Sequence, residues 1–279
     1  MNARSALFDL YGDHLRQRGG RAPVAALVRL LAALGIAAPA VRTAVSRMVR
    51  QNWLEPVRLA RGAGTVPGYA LTPRAVRRLD EAAHRIYRDL EPWDGHWHLL
   101  VVERVRERSR RERLATGLAY LGYARLDETT WIGPRANPEL DPLLTAESVR
   151  VERFRSRHEG DSHGLVARAW DLEGLARAYE RWMADAKELL EGHPVDTDER
   201  AFAVRSRLVH EWRKFLFHDP GLPQELLPQG WPGALAARYF DDASARLLPA
   251  AARFVEGCLD GYGEAAEDRR RAGGEDDGV

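Results

Sequence analysis

Five side chains that can hydrogen-bond to other molecules lie close together between residues 42 and 50. They are spaced so that, on an α-helix, they share one side. An arginine guanidinium can donate to O6 and N7 of guanine, and serine or threonine hydroxyls can reach base edges or phosphates. We predict that this side contacts double-stranded DNA; the alternative is an ordinary solvated helix face. The five residues are Arg42, Thr43, Ser46, Arg47 and Arg50.

The same stretch has a second, mostly apolar face that would pack against a core. A helix precedes it, with Pro23 suited to its first position and Gly35 at its end. Two helices joined by a short turn containing glycine, the second with a basic outer face, are typical of a helix-turn-helix. The inner face of the second helix is predicted to carry Val41, Ala44, Val45, Met48 and Asn52.

A two-stranded wing is predicted directly after these helices. Residues 53–59 and 69–72 have the composition of strands, and the glycine-rich residues 61–68 form the turn between them. Arg58 and Arg61 would lie on this wing and contact phosphates or the minor groove. The glycines do not form a nucleoside-triphosphate loop, because the required Gly-Lys-Ser/Thr ending and following helix are missing.

Charge is distributed unevenly along the chain. Residues 1–92 hold 15 arginines and 7 acidic residues, a formal charge of +8, whereas the remaining residues carry −7. A strongly basic segment in a protein of net charge +1 predicts a polyanionic partner that is confined to that segment.

Composition excludes several other classes of protein. With 45% hydrophobic and 30% charged residues, the chain is not disordered throughout. No apolar stretch approaches the roughly 20 residues of a membrane span and no secretory signal is evident, so we expect a cytoplasmic protein without membrane contact. Cys258 is the only cysteine, which excludes an intrachain disulfide and a cysteine-based zinc cluster. We expect neither a metal nor a cofactor.

The remainder of the chain predicts a multidomain α+β protein. One strand, one helix and three further strands between residues 96 and 155 suggest a ferredoxin-like sandwich. From residue 171 onward the pattern is helical, over residues 172–190, 196–217 and 232–257. The charged tail is poor in apolar residues, which predicts disorder. The predicted domains are therefore 1–92, 93–170 and 171–262, followed by a disordered tail at 263–279.

Four blocks of sequence, found in order along the chain, carry a family resemblance. They are Phe8-Asp9-Leu10-Tyr11-Gly12-Asp13, Val41-Arg42-Thr43-Ala44-Val45-Ser46-Arg47-Met48, Trp131-Ile132-Gly133-Pro134 and Trp231-Pro232-Gly233. With these blocks the chain resembles the phenylacetate-degradation repressor (PaaX) family of bacterial regulators over roughly residues 5–257. The resemblance implies an N-terminal winged helix-turn-helix, a middle domain like Cas2, and a helical C-terminal domain.

The resemblance also implies a homodimeric repressor that an acyl-CoA, typically phenylacetyl-CoA, releases from its operator DNA. An acyl-CoA needs cations for its phosphates and an apolar pocket for its acyl group. Arg110 and Arg113 are candidate cations, although each arginine and each aromatic also fits an ordinary surface or core position. The predicted effector-binding residues are Arg111, Trp131, Trp212, Arg213, Lys214 and Trp231.

The alternative function is a thioesterase-like enzyme that processes acyl-CoA and carries a DNA-binding appendage. Such an enzyme needs a nucleophile paired with a base. Residues 160–164 formally match the nucleophile-elbow pattern Gly-x-Ser-x-Gly, but polar residues precede them where the motif requires a buried strand. We therefore predict no catalytic residue and no enzyme.

Overall fold

The computed structural model describes residues 1–86, 92–192 and 195–264. The chain packs as two compact units, each assembled from separate stretches of sequence. None of the helices in the described ranges combines the length and the apolarity needed to cross a membrane. Of the described residues, unit 1 contains 1–83, 185–192, 195–212 and 239–264, and unit 2 contains 84–86, 92–184 and 213–238.

Unit 1 begins with three helices. The first, α1 (Ala3–Leu10), continues as a π-helical turn, Tyr11–Leu15, before the chain reverses at Gly19 and Gly20, which both have positive φ. A short strand follows, and Pro23 lies in it rather than at the first helical position as predicted. The strand and the next two helices are β1 (Arg21–Pro23), α2 (Val24–Ala32) and α3 (Ala38–Arg50).

Residues with positive φ end both α2 and α3. Gly35 has a φ of 76°, and the N–H of the following Ile36 donates to the Leu31 carbonyl at 3.0 Å. Asn52 ends α3 in the same way, with a φ of 56°. Asn52 is exposed, so its predicted place on the inner face is wrong, because the helix stops at Arg50.

A hairpin of two eight-residue strands follows α3. The strands β2 (Leu54–Arg61) and β3 (Gly64–Leu71) are antiparallel, and β1 pairs with the far side of β3. Gly68 permits this close packing, because a Cβ there would lie 2.6 Å from Leu59 Cδ1. The helix α4 (Pro73–Ile86) then begins with the Thr72 hydroxyl accepting from the Ala75 N–H at 3.2 Å.

The core of unit 1 joins the first and last parts of the chain. Leucines of α1 and α2 and the inner face of α3 pack around it, with Val41 and Met48 fully buried. The helices α9 (Asp198–Trp212) and α10 (Pro232–Leu259) add Phe202, Val255 and Cys258 to the same core. The C-terminal helices therefore help to build the folded support of α3.

Unit 2 contains a four-stranded antiparallel sheet. Its strand order is β5-β6-β4-β7, the order of a ferredoxin-like fold, which confirms the predicted α+β architecture of the middle region. The second helix of this fold, α6, was not predicted, because it is short and contains Pro142. The elements are β4 (Trp97–Val102), α5 (Arg108–Tyr120), β5 (Ala124–Arg125), β6 (Thr130–Gly133), α6 (Leu140–Glu147) and β7 (Val151–Ser156).

Between residue 162 and Leu259 the described chain is mainly helical, which agrees with the predicted helical C-terminal region. The unpredicted helix α7 (Ser162–Ala169) precedes α8 (Leu172–Glu191), α9 and α10. The predicted helix 196–217 is corrected in one respect, because α9 ends at Trp212 and residues Arg213–Phe217 form a 3₁₀ turn.

The first two residues of the predicted tail form a short strand at the end of the described chain. Gly263 and Glu264 form β8, which pairs antiparallel with β2, so the sheet order of unit 1 is β1-β3-β2-β8. Residues 265–279 lie outside the described residues, as do residues 87–91 beside the predicted boundary at 92. The predicted domain boundaries at 92, 170 and 262 remain predictions.

Candidate nucleic-acid interface

The five predicted contact residues on α3 all lie on its exposed face. Arg42, Thr43, Ser46, Arg47 and Arg50 are exposed, whereas Val41, Ala44, Val45 and Met48 on the opposite face are buried. The local sequence produces this arrangement, because apolar residues recur at helical spacing and leave the polar positions on the outside. Thr43 Oγ1 donates to the Pro39 carbonyl at 2.9 Å, so its hydroxyl is held against its own helix.

The arginines of this face are available for an external anion. In the part of the chain that the structure describes, no carboxylate forms an ion pair with Arg42, Arg47 or Arg50. Three guanidinium groups on one exposed helical face give it a concentrated positive charge. Such a face can donate hydrogen bonds to phosphates and to guanine edges.

The two predicted wing arginines are exposed on β2 and held by different contacts. The Arg58 guanidinium donates to Thr65 Oγ1 at 2.9 and 3.1 Å and to the Thr65 carbonyl at 3.1 Å. The Arg61 guanidinium lies over the ring of Tyr262, 5.0 Å from its centroid. The structure thus fixes Arg58 within the hairpin and Arg61 against the C-terminal segment.

A buried polar network connects the first helix of unit 1 to α9. The Arg205 side chain pairs with Asp13 and also donates from Nε to the Ser244 carbonyl at 3.1 Å. His210 Nδ1 lies 2.7 Å from Asp9 Oδ2. Sequence reasoning missed this network. The available signal was Asp9 and Asp13, two carboxylates four residues apart and interspersed with buried apolar residues such as Leu7 and Leu10.

The π-helical turn lies in the part of the first helix that takes part in this network. It contains Asp13 and His14, and such turns recur at functional positions in proteins. His14 is 1% exposed, and its Nε2 lies 3.1 Å from Asp13 Oδ2. Burial, and to a smaller extent the positive charge of Arg18, lower the pKa of His14 from its ordinary value of 6.5 to about 4.

Because of His14, we expect the free energy of unfolding to fall by about 2 kcal/mol between pH 7 and pH 5. The unfolded chain binds a proton at His14 near pH 6.5, whereas the folded protein binds it only near pH 4. The contribution is therefore complete above pH 6.5 and is lost as the pH falls toward 4. Denaturant titrations at several pH values measure this loss.

The variant His14→Gln is the control, because it cannot titrate in this window. The exposed carboxyls with lowered pKa, such as Asp141 and Asp198, titrate below their ordinary value of 3.8 and contribute little above pH 5. A loss of equal size in His14→Gln would show that another group is responsible.

Three of the candidate effector cations lie on α5, and two of these three are bound to the end of α6. Arg110 donates from Nε to the Glu147 carbonyl at 2.5 Å and also to the Ser148 carbonyl, so it caps the end of α6. Arg113 forms a two-pronged ion pair with Glu147. Arg111 is exposed and donates to the Val105 carbonyl at 3.4 Å.

Two of the predicted tryptophans are core residues of different units. Trp131 is buried on β6 in the core of unit 2, together with Leu100 and Leu118. Trp212 is buried in unit 1 and stacks on Phe240 with the ring centroids 4.8 Å apart. The structure therefore does not place these two tryptophans together in one unit.

The remaining effector predictions are one member of an aromatic cluster in unit 2 and two cations that precede another member in the chain. The rings of Tyr179 and Phe215 stack 4.1 Å apart, and Trp231 meets Tyr179 edge-on at 6.3 Å. Gly233 permits the packing, because a Cβ there would lie 2.5 Å from Trp231 Nε1. Tyr179 also donates its hydroxyl to Asp219. The predicted residues Arg213 and Lys214 precede Phe215 in the 3₁₀ turn.

The serine of residues 160–164 lies close to a histidine that precedes this motif. His158, between β7 and α7, has its Nδ1 3.1 Å from Oγ of Ser162, the first residue of α7. Within the described residues His158 makes no hydrogen bond to a carboxylate, and its side chain is exposed. A serine nucleophile needs an oriented base and a protected site, and this pair has neither. Across the part of the chain that the structure describes, no group of three or more His, Cys, Asp or Glu side chains is arranged to hold a metal ion.

Known proteins match the chain along nearly its whole length. Family models match in three segments: a PaaX-like protein at residues 2–75, a PaaX protein central Cas2-like domain at 90–165, and a PaaX-like protein C-terminal domain at 170–257. The transcriptional repressor PaaX of Escherichia coli K12 is 30% identical over 268 residues, covering 91% of this chain and 83% of the relative.

A solved structure shares the fold. The uncharacterized protein Rv0674 from Mycobacterium tuberculosis is 26% identical and superposes with a TM-score of 0.60, covering 92% of this chain and 98% of that protein. The three family segments match in order along the chain, and the Escherichia coli relative matches over most of both lengths. The Cas2-like and C-terminal segments coincide with the ferredoxin-like middle region and the helical C-terminal region of the structure. The chain therefore belongs to the PaaX family of transcriptional regulators.

Proposed function

We propose that this protein is a transcriptional repressor that binds duplex operator DNA through a winged helix-turn-helix. In this proposal α2 and α3 are the helix-turn-helix, and β2 and β3 are the wing. The observation that carries it is the exposed face of α3, where Arg42, Arg47 and Arg50 have no carboxylate partner in the described chain. A helix of this kind enters the major groove, where each base pair presents a distinct pattern of donors and acceptors.

The protein acts as a homodimer in this proposal. A single helix-turn-helix contacts few base pairs, and two-fold operators match two-fold proteins. Two protomers would place their α3 helices about 34 Å apart, which is one turn of the DNA. The operator would then be an inverted repeat with half-sites one turn apart.

The proposed signal is an acyl-CoA of an aromatic catabolic pathway, with phenylacetyl-CoA as the first candidate. The printed name of the Escherichia coli relative supports repression, and the ligand class comes from the family resemblance. In unit 2 the half-buried rings of Phe215 and Trp231 pack on the buried Tyr179, and Arg213 and Lys214 directly precede Phe215 in the chain. Binding there would disfavour the DNA-bound state by about 1–3 kcal/mol, the usual size of such couplings.

Selection of binding duplexes from a random pool tests the proposed DNA binding. We expect the full-length protein to enrich an inverted repeat and to bind it with two protomers per duplex, as measured by sedimentation of the complex. Failure to enrich any sequence, with only weak salt-sensitive binding, would contradict sequence-specific recognition. One protomer per enriched duplex would contradict the dimer.

The enriched duplex then tests the signal. Phenylacetyl-CoA is expected to weaken duplex binding by about 5- to 150-fold, and free CoA much less, because it lacks the apolar group. By linkage, the duplex must weaken phenylacetyl-CoA binding by the same factor, which calorimetry measures. If no acyl-CoA in a panel changes duplex affinity, the DNA-binding proposal stands and the effector proposal fails.

A further inference from the structure

The C-terminal segment of unit 1 lies against the wing. After α10 the chain turns at Gly261, where φ is +77°, and returns as β8 along the outer edge of β2. The pairs are Ala60 with Gly263 and Leu59 with Glu264. Tyr262, directly before β8, lies under the Arg61 guanidinium. The segment therefore touches the wing by backbone pairing and by one side-chain contact.

The two strands of the hairpin are supported by different neighbouring strands and at different positions along their length. The short strand β1 pairs with Gly68, Tyr69 and Ala70, so it supports β3 in the half nearer the core. The strand β8 pairs with β2 in the half nearer the turn. Two-stranded hairpins are only marginally stable alone, and a third strand stabilises them. Without β8, the outer half of β2 would have no neighbour on its free edge.

The contact between Arg61 and Tyr262 is compatible with a second contact from Arg61 to an anion. A guanidinium commonly lies flat on an aromatic ring, and in that arrangement its N–H groups point outward in the plane. These groups can still donate to phosphate oxygens in the two-pronged geometry that arginine favours. The stacking restricts the rotamers of a long exposed side chain, so less conformational entropy is lost when it binds.

From these contacts we infer that the C-terminal segment is a brace for the wing and that Tyr262 is a positioning residue for the DNA contact made by Arg61. This inference rests on the proposed DNA binding. The ring of Tyr262 and the backbone of β8 would hold the outer wing and Arg61 in the conformation that meets the phosphate backbone. Tyr262 itself needs no contact with DNA.

Substitutions at Tyr262 and Arg61 in the full-length protein test the inference. Tyr262→Ala is expected to weaken binding to the enriched duplex about two- to fivefold, the effect of losing one exposed cation–π contact. Tyr262→Phe keeps the aromatic face and is expected to bind like the unmodified protein. Arg61→Ala is expected to lose at least as much affinity and to reduce the dependence of affinity on salt by about one phosphate contact. In the double variant, the Tyr262→Ala substitution should cost nothing more.

Several results would overturn the inference. A gain in affinity for Tyr262→Ala would show that the segment competes with DNA, and an additive loss in the double variant would show that Tyr262 acts independently of Arg61. Unchanged affinity in Tyr262→Ala, while the unmodified protein binds the duplex, would remove Tyr262 from DNA binding altogether.

Hydrogen exchange tests the brace without DNA. The segment Leu59–Ala60 is expected to exchange more slowly in the unmodified protein than in the variant Gly263→Pro, because proline cannot donate to the ladder between β8 and β2. The pairing of this segment with β3 is the same in both proteins, so equal exchange in the two would show that β8 does not hold the wing. If the unmodified protein binds no duplex, the DNA-binding proposal fails while this measurement still decides whether β8 pairs with β2.

Discussion

Replacing Arg205 by alanine is expected to lower the free energy of unfolding of unit 1 by about 3–5 kcal/mol. The Arg205 and Asp13 side chains are only 4% and 6% exposed, so the substitution leaves a carboxylate buried without its partner charge. It also removes the donor to the Ser244 carbonyl. Burial lowers the pKa of Arg205 to about 10, so the side chain is still charged at neutral pH. Denaturant titration at pH 7 measures the effect.

Arg253→Ala is the matched control for this prediction. Arg253 on α10 also pairs with an aspartate of unit 1, but it is 61% exposed and its partner Asp198 is 41% exposed. An exposed pair contributes about 0–1 kcal/mol, so the control should change stability little. Similar small effects in both variants would show that the buried pair does not stabilise unit 1. A double-mutant cycle of Asp13→Ala with Arg205→Ala should show strong coupling.

Replacing Arg47 by alanine is expected to weaken binding to the enriched duplex by about 1–3 kcal/mol and to relax specificity at one base position. Arg47 lies on the exposed face of α3, opposite the buried residues Val45 and Met48. Its removal therefore leaves the packing of the helix intact. Arg50→Ala on the same face is expected to behave alike, or to weaken all duplexes evenly if it contacts phosphate.

Arg207→Ala supplies the control for the α3 variants. Arg207 is an exposed arginine on α9 and was not among the predicted contacts. Its loss changes the net charge by the same amount as Arg47→Ala, so comparing the two at fixed salt separates a specific contact from a general electrostatic effect. Duplex affinity that is unchanged in both α3 variants, with folding intact, would remove this face from the DNA interface.

Local sequence was sufficient to predict the helices of unit 1 and the exposed face of α3. Apolar spacing depends only on neighbouring residues, so Val41, Ala44, Val45 and Met48 could be placed on one face before any tertiary contact was known. The end of α2 could also be predicted from neighbouring residues alone, because it depends on a glycine that adopts positive φ, and Gly35 ends this helix as predicted. The predicted positions of Pro23 and Asn52 at the ends of helices were wrong. Adding or removing one residue at the end of a helix hardly changes the periodic spacing of its apolar residues, so the spacing does not define the last residue.

The effector predictions illustrate what residue type alone does not decide. Arg110 and Arg113 were chosen because they are cations, but the structure gives them partners at the end of α6, a helix that the sequence did not predict. Trp212 was chosen as an aromatic wall, and it is buried against Phe240 in unit 1. A charged or aromatic side chain can stabilise the fold as well as bind a ligand. Only its contacts with neighbouring helices and strands show which of these two roles it has.

The sequence by itself determined the order of α2, α3 and the following hairpin, the basic character of the first 92 residues and the polar face of α3. Each of these depends on composition or on the spacing of residues along one element. Tertiary structure alone decided that Arg205 meets Asp13 across 192 positions, that His210 meets Asp9 across 201, and that Tyr262 lies under Arg61. These contacts join segments far apart in the chain, and no periodic pattern encodes which distant residue will face a given side chain. The packing of α9 and α10 into the core of unit 1 brings those partners together.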